Sequence, residues 1–195
     1  MSSSPEIVRH PAPAWPGRAV AAWGVLFALP SFYWALGGLS GASTAVAPAL
    51  VELARERDPG FVAVLWVTGV LKLVGAALGL ALIHLRGGGR RRDRVLQFLA
   101  WGAVFLLAWH GMEFVVHGVL VEADVISVDP DLRTVRRWYT YLWGPWFLAG
   151  GLGFALAARA HLSTVTDRRD ARRAGRVGAL CALVPSAGLT VLAMV

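Results

Sequence analysis

The chain has 195 residues, of which 56% are hydrophobic and 16% are charged. A soluble globular domain normally carries roughly a quarter of charged residues, so this composition argues against a soluble fold. The net charge of +7 would suit a nucleic-acid-binding protein. However, the arginines lie between long apolar runs, and no basic face carries interleaved aromatic residues, so no nucleic-acid partner is expected. The single cysteine, Cys181, excludes an intrachain disulfide and a cysteine-rich zinc site.

Five apolar runs follow a polar, proline-rich tail, residues 1–17, which is expected to be disordered. Each run has the ~20 residues that an α-helix needs to cross ~30 Å of hydrocarbon. The runs are too long and too continuously apolar for the alternating strands of a membrane barrel. The sequence therefore predicts an all-α integral membrane bundle, a single domain over residues 18–195. Its five transmembrane helices are expected at residues 19–39, 61–85, 95–121, 138–158 and 177–195.

Arginines are concentrated in two of the segments that connect the apolar runs. Residues 86–94 contain five arginines and one aspartate, and residues 168–176 also contain five arginines and one aspartate. Because positively charged loops stay on the cytoplasmic side, both segments are predicted to be cytoplasmic. This places the N-terminus in the cytoplasm and the C-terminus outside. The predicted location of the protein is the inner (plasma) membrane. The lipid bilayer is then the expected partner.

The segment after the first apolar run allows two interpretations. Residues 45–47, Ala-Val-Ala, resemble a signal-peptidase site, so the first run is either a retained span or a cleaved signal. Its length and its aromatic residues favour a retained span. Residues 47–57 are predicted to form a short helix on the outer membrane surface, with Leu50, Leu53 and Ala54 on one side.

Lys72 lies near the middle of the second predicted span, where a lone charge costs about 2.5–3.5 kcal/mol and requires a partner. His110, Glu113 and His117 of the third span have the spacing i, i+3 and i+7, so they share one helical face. The connection between these two spans is short, which predicts antiparallel neighbours. At 1.5 Å per residue, the charged groups come to matching depths. The sequence therefore predicts a Lys72–Glu113 ion pair flanked by His110.

Three interpretations of this polar cluster stay open. The first is a buried pair that fixes helix register, and the second is a binding or proton-handling site open to the outer side. The third is a metal site, because either His110 with Glu113 or Glu113 with His117 could chelate one ion. However, His110 and His117 are two turns apart, and a third strong ligand is not evident. No metal and no cofactor is therefore predicted.

Aromatic residues converge at the outer ends of the first and fourth predicted spans. An interfacial belt explains most of them. The alternative is an aromatic-lined pocket above the polar cluster, suited to a lipophilic or quinone-like molecule. The candidate ligand-binding residues are His117, Tyr33, Trp34, Tyr141 and Trp143.

The sequence contains no phosphate-binding loop, nucleophile elbow, zinc-protease motif or dinucleotide fingerprint. We therefore favour a non-enzymatic bundle or a small-molecule binder. One alternative is a small intramembrane enzyme that moves a proton on a lipophilic substrate. Its candidate catalytic residues are Glu113, as acid or base, with Lys72 or His110 tuning it. Another is a proton- or ion-coupled permeation element. The glycine-rich helix faces could pack within the chain or form a homo-oligomer.

Two segments carry a family resemblance. Residues 21–38, AAWGVLFALPSFYWALGG, and residues 143–154, WGPWFLAGGLGF, resemble a family of small bacterial membrane proteins frequent in actinobacteria. This family is classed as domain of unknown function 3995, and the similarity extends from about Ala19 to Ala158. The resemblance implies a membrane location and a multi-helix fold. It implies no activity, so no catalytic residue is transferred to this chain.

Overall fold

The structure is a computed structural model that describes residues 12–194, with the backbone alone at 185 and 187–194. All regular secondary structure within these residues is helical, so the predicted all-α class is confirmed. The helices are α1 (Trp15–Ala35), α2 (Ala42–Ala45), α3 (Pro48–Arg55), α4 (Pro59–His84), α5 (Arg90–Glu122), α6 (Arg133–Trp138), α7 (Gly144–Thr164) and α8 (Arg168–Met194). A 3₁₀ turn at Pro130–Leu132 precedes α6, and a π-helical turn at Tyr139–Trp143 joins α6 to α7.

Among residues 12–194, three helical segments are long and apolar enough to cross a membrane. They are Pro59–His84, Arg90–Glu122 and Pro130–Thr164, and they overlap the second, third and fourth predicted spans. The first and fifth predicted spans overlap α1 and α8. These two helices are not among the three that are long and apolar enough to cross a membrane. Proline and serine interrupt the apolar character of α1, and arginines fill the first turns of α8.

The predicted N-terminal tail lies mostly outside the described residues. The last three residues of the predicted tail, Trp15–Gly17, already belong to α1, so this helix begins before the predicted span. Two hydrogen bonds hold the segment before it, because the Arg86 guanidinium donates to the carbonyl oxygens of Ala12 at 2.7 Å and Pro13 at 2.8 Å.

Local sequence signals explain where α4 begins. The Asp58 carboxylate accepts a hydrogen bond of 2.8 Å from the backbone N–H of Phe61, and Pro59 occupies the first helical position. An N-cap carboxylate and an early proline both favour a helix start. The start of α5 depends on a glycine. Gly89, immediately before this helix, adopts a φ of 99°, a left-handed conformation that glycine tolerates at little cost.

The five long helices pack in the order α4, α1, α7, α5, α8. Helix α1 lies between α4 and α7, and α5 lies between α7 and α8, whereas α4 and α5 barely touch despite their short connection. Small residues explain this pairing. A Cβ atom added to Gly24 of α1 would lie 3.0 Å from the Lys72 carbonyl oxygen, and one added to Gly79 of α4 would lie 2.7 Å from Val20. These glycines therefore let α1 and α4 approach closely within the chain.

The buried apolar core lies where α1, α4, α5 and α7 meet, and it consists of Val20, Leu82, Leu96, Ala100, Phe154, Ala157 and Ala158. By contrast, the outer face of α4 exposes large apolar side chains, with Val67 57% exposed, Leu71 61% and Val74 57%.

The two ends of the bundle differ in character. We use the name arginine end for the side that carries the α4–α5 and α7–α8 turns, residues 85–94 and 165–176. The name loop end is used for the side that carries residues 36–58 and 123–143. The predicted surface helix at the loop end is present as α3, which buries Val51 and Ala54 and leaves Leu50 exposed.

Candidate functional site

Lys72 is held by α1. Its ammonium donates a hydrogen bond of 2.7 Å to the Ser31 hydroxyl and lies 3.9 Å from the centre of the Phe27 ring. Ser31 is buried, with 3% of its surface exposed, so the hydroxyl and the aromatic face together compensate the desolvated ammonium.

The structure therefore corrects the predicted Lys72–Glu113 ion pair. Lys72 is brought to Ser31 and Phe27 instead of to Glu113. The physical reason is the helix packing, because the small-residue face of α4 fits against α1 and leaves α4 with little contact to α5. A short connection made the two helices neighbours in sequence, but complementary shape decided which helices pack together.

An aromatic wall separates Lys72 from the histidine of the predicted cluster. The Phe27 ring, which carries the ammonium, contacts the Phe147 ring at a centroid distance of 5.1 Å. Phe147 in turn contacts the ring of His110 at 5.7 Å, and His110 contacts Phe114 at 6.2 Å. Two phenyl rings thus lie between the ammonium and the imidazole, and the predicted polar cluster is divided into two parts.

The α5 part of the predicted cluster holds His110, Glu113 and His117, all half-buried. The Nδ1 atom of His110 and the Nε2 atom of His117 are buried and lack a hydrogen-bond partner among the described residues. Within residues 12–194, no group of three histidine, cysteine or acidic side chains is arranged to hold a metal ion.

Three of the four predicted aromatic ligand-binding residues share one groove at the loop end. Tyr33, Trp34 and Trp143 line a groove of about 840 Å³, here named the aromatic groove. The Trp143 indole N–H donates a hydrogen bond of 2.9 Å to the Ala45 carbonyl oxygen, which fixes the ring against the loop. Tyr141 lies elsewhere, because its hydroxyl donates to the Glu122 carboxylate at 2.6 Å and its side chain points outward.

A buried polar pair at the arginine end was missed by sequence reasoning. His161 is fully buried and Asp93 is 5% exposed. The His161 Nδ1 atom lies 3.1 Å from the Leu82 carbonyl oxygen, and its Nε2 atom lies 3.2 Å from the Asp93 carboxylate. Both ring nitrogens face oxygen atoms, so the His161 ring is fixed between the α4 backbone and the Asp93 carboxylate of α5.

A buried glutamine extends this polar interior along α5. Gln97 is fully buried, and its amide N–H donates to the Ala158 carbonyl oxygen at 2.9 Å. Its amide oxygen accepts a hydrogen bond of 3.2 Å from the Trp101 indole. Together with the His161–Asp93 pair, these bonds tie α4, α5 and α7 at the arginine end. The spacing of Asp93, Gln97 and Trp101, four residues apart, is the sequence signal that indicates this inward face.

An exposed ion pair connects α5 to α8 at the same end. The Arg90 guanidinium donates to the Asp170 carboxylate at 2.7 Å through Nε, and lies 3.4 Å from Asp167. The hydrogen bond from Arg90 holds the pKa of the Asp170 carboxyl below its ordinary value. The pair therefore stabilises the fold above the ordinary carboxyl pKa, and this contribution is lost as the pH falls. Because both groups are open to water, the contribution is small.

The packing and these sites define an all-helical bundle with several helices apolar and long enough to cross a membrane. A family model described as protein of unknown function (DUF3995) matches residues 24–154. The chain belongs to this family, as the resemblance of its two segments indicated. No curated protein matches the chain, and no solved structure matches it. The matched range includes Ser31, Lys72, Asp93 and Trp143, and it ends before His161 and α8.

Proposed function

We propose that this protein is a five-span protein of the inner (plasma) membrane that binds a lipophilic small molecule without catalysing a reaction. Three apolar helices of sufficient length support the membrane placement. The apolar outer face of α4 is the kind of surface that lipid covers. α1 packs along α4 and α8 packs along α5, which favours counting both as spans. The arginines at one end favour a cytoplasmic N-terminus and an external C-terminus.

The aromatic groove carries the proposal that the protein is a binder. Its volume of about 840 Å³ falls in the range of small-molecule sites. Its walls are aromatic and aliphatic, and the hydroxyl groups among the residues that line it belong to Tyr33, Ser40 and Thr44. No charged side chain lines it, so a neutral, flat and lipophilic molecule such as a quinone is the best-matched occupant.

The division of the polar cluster weakens the enzymatic alternative, because it takes Lys72 away from the other candidate groups and leaves Glu113 and His110 together on α5. That alternative requires Glu113 to work together with Lys72 or His110. The Lys72 ammonium is bound to Ser31, and the rings of Phe27 and Phe147 lie between it and His110. The same separation argues against a continuous polar path for a permeating ion.

Cysteine labelling tests the membrane arrangement. In a Cys181→Ser background, four exposed positions are changed singly to cysteine in intact cells and treated with a membrane-impermeant maleimide. Ser43→Cys and Ser127→Cys at the loop end should be labelled, whereas Arg91→Cys and Thr166→Cys should be labelled only after the membrane is opened. Labelling of all four positions in intact cells would contradict the five-span arrangement.

Quinone binding tests the aromatic groove. A short-chain ubiquinone analogue, titrated into protein in mild detergent and followed by tryptophan fluorescence and native mass spectrometry, should bind at one site. Trp34→Ala removes an aromatic wall of the groove and should weaken binding about tenfold, which corresponds to about 1.4 kcal/mol. Trp15→Ala removes an exposed tryptophan at the opposite end and serves as the matched control. Equal affinities for both variants would contradict the proposed site.

A further inference from the structure

A second groove opens sideways at the arginine end. Helix α8 packs along α5 and touches α7 only slightly, so a gap of about 810 Å³ remains between α7 and α8, with α5 as its floor. We name it the arginine groove. It is lined on α5 by Trp101 and Phe105, on α7 by Arg159, Leu162 and Ser163, and otherwise by residues of α8.

The charge at this groove is positive and uncompensated. Arg159, Arg168, Arg172 and Arg176 line it, and no acidic residue does. Asp167, just before α8, and Asp170 in its first turn form the Arg90 ion pairs on the side that faces α5. Within residues 12–194, no salt bridge engages Arg159, Arg172 or Arg176.

Polarity changes along the length of the groove. Arg168, Arg172 and Arg176 are spaced four residues apart and follow one face of α8, the last about 12 Å along the helix from the first. Farther along the same helix, at about 22 Å from its start, Leu183 lines the groove beside Phe105 of α5. The groove is therefore cationic near the helix ends and apolar toward the middle of the bundle, which is the polarity of a phospholipid.

The apolar wall is held in place by buried contacts. Gln97 accepts the hydrogen bond of the Trp101 indole, which fixes the ring that faces the groove. Gly175 of α8 lies directly against this ring, since a Cβ atom at that position would be 2.5 Å from Trp101 Cδ1. A wall that is already ordered needs little rearrangement to receive an acyl chain.

We propose that the arginine groove binds one anionic phospholipid of the surrounding bilayer. The phosphate lies between Arg172 and Arg176, whose guanidinium groups suit bidentate contact with phosphate oxygens. An acyl chain lies along Trp101, Phe105 and Leu183. This proposal rests on the proposed membrane placement and is independent of ligand binding in the aromatic groove.

Native mass spectrometry of the full chain tests this site. The protein is exchanged into mild detergent with either phosphatidylglycerol or phosphatidylcholine, and retention of one bound lipid is measured. The wild type should retain phosphatidylglycerol preferentially, and Arg172→Gln with Arg176→Gln should weaken retention about thirtyfold, because each arginine near an anionic headgroup contributes roughly a factor of five. Arg91→Gln with Arg92→Gln removes the same charge from exposed positions outside the groove and should leave retention unchanged.

Three outcomes of the retention measurement would overturn the lipid site. They are equal retention of both lipids by the wild type, unchanged retention in the groove variant, and equal loss in the two double variants. Displacement of the lipid by inorganic phosphate would also overturn it, since the site would then recognise the anion alone. Alkaline carbonate extraction of the cell membranes that contain the protein distinguishes the lipid site from the membrane placement on which it rests. Protein that stays in the membrane but retains no phosphatidylglycerol contradicts the lipid site alone, and protein that is extracted contradicts the membrane placement.

Discussion

Replacing Asp93 by alanine should destabilise the protein by about 1–3 kcal/mol, the usual cost of leaving a buried polar group without its hydrogen-bond partner. The Nε2 atom of His161 would lose the Asp93 carboxylate, and the ring is fully buried. Unfolding in detergent micelles, followed by circular dichroism, measures this loss.

Asparagine at the same position should be tolerated far better. The amide N–H of asparagine can donate to Nε2 of a neutral imidazole, while Nδ1–H continues to donate to the Leu82 carbonyl oxygen. We expect Asp93→Asn to cost about 1 kcal/mol or less. The matched control is Asp170→Ala at the same end, which breaks an exposed pair and should change the stability little. Equal damage from alanine and asparagine at position 93 would show that the hydrogen bond to His161 is not what stabilises this end.

Replacing Gly178 by alanine should destabilise the protein by about 1–3 kcal/mol, the typical cost of forcing an extra methyl group into a packed interface. A Cβ atom at this position would overlap the carbonyl oxygen of Phe98 and lie 3.0 Å from its Cα atom. These are backbone atoms of α5, which cannot rotate away as a side chain could. Helix α8 must therefore move away from α5, which weakens the contact along both helices.

Gly75→Ala is the matched control for this prediction. The nearest atom to an added Cβ at Gly75 is Phe154 Cζ, at an ordinary contact distance of 3.7 Å. Since alanine favours helix by up to about 1 kcal/mol over glycine, this variant should be neutral or slightly stabilised. Thermal unfolding in detergent compares the two variants directly. A Gly178→Ala protein as stable as Gly75→Ala would show that α5 and α8 are farther apart than the structure places them.

The sequence predicts the long helices well, because each apolar run is continuous and the segments between them are polar. It predicts their neighbours poorly. Loop length suggested that α4 and α5 pack together, whereas the fit of Gly24 and Gly79 between α1 and α4 decides the pairing. Such a fit depends on which glycines face each other across two distant segments. That information is not contained in the periodicity of either segment alone.

The candidate sites were predicted unevenly for similar reasons. The aromatic groove follows from the clustering of Tyr33, Trp34 and Trp143 at span ends, which sequence position alone reveals. The position of His161 near the end of an apolar run indicates a solvated residue, and Asp93 stands among arginines that suggest an exposed turn. Their burial arises because α4, α5 and α7 converge at the arginine end, so only the packed structure brings the two side chains together.

The packing order of the helices has a consequence for biosynthesis. Helix α5 leaves the ribosome before α8, with which it makes a large contact. During that interval the backbone of Phe98 lacks Gly178, the residue that packs against it in the folded protein. The pair α1 and α4, in contrast, is complete before α5 emerges. The arginine groove comes into existence only with α8, so the pair α1 and α4 can form before the lateral opening of the bundle does.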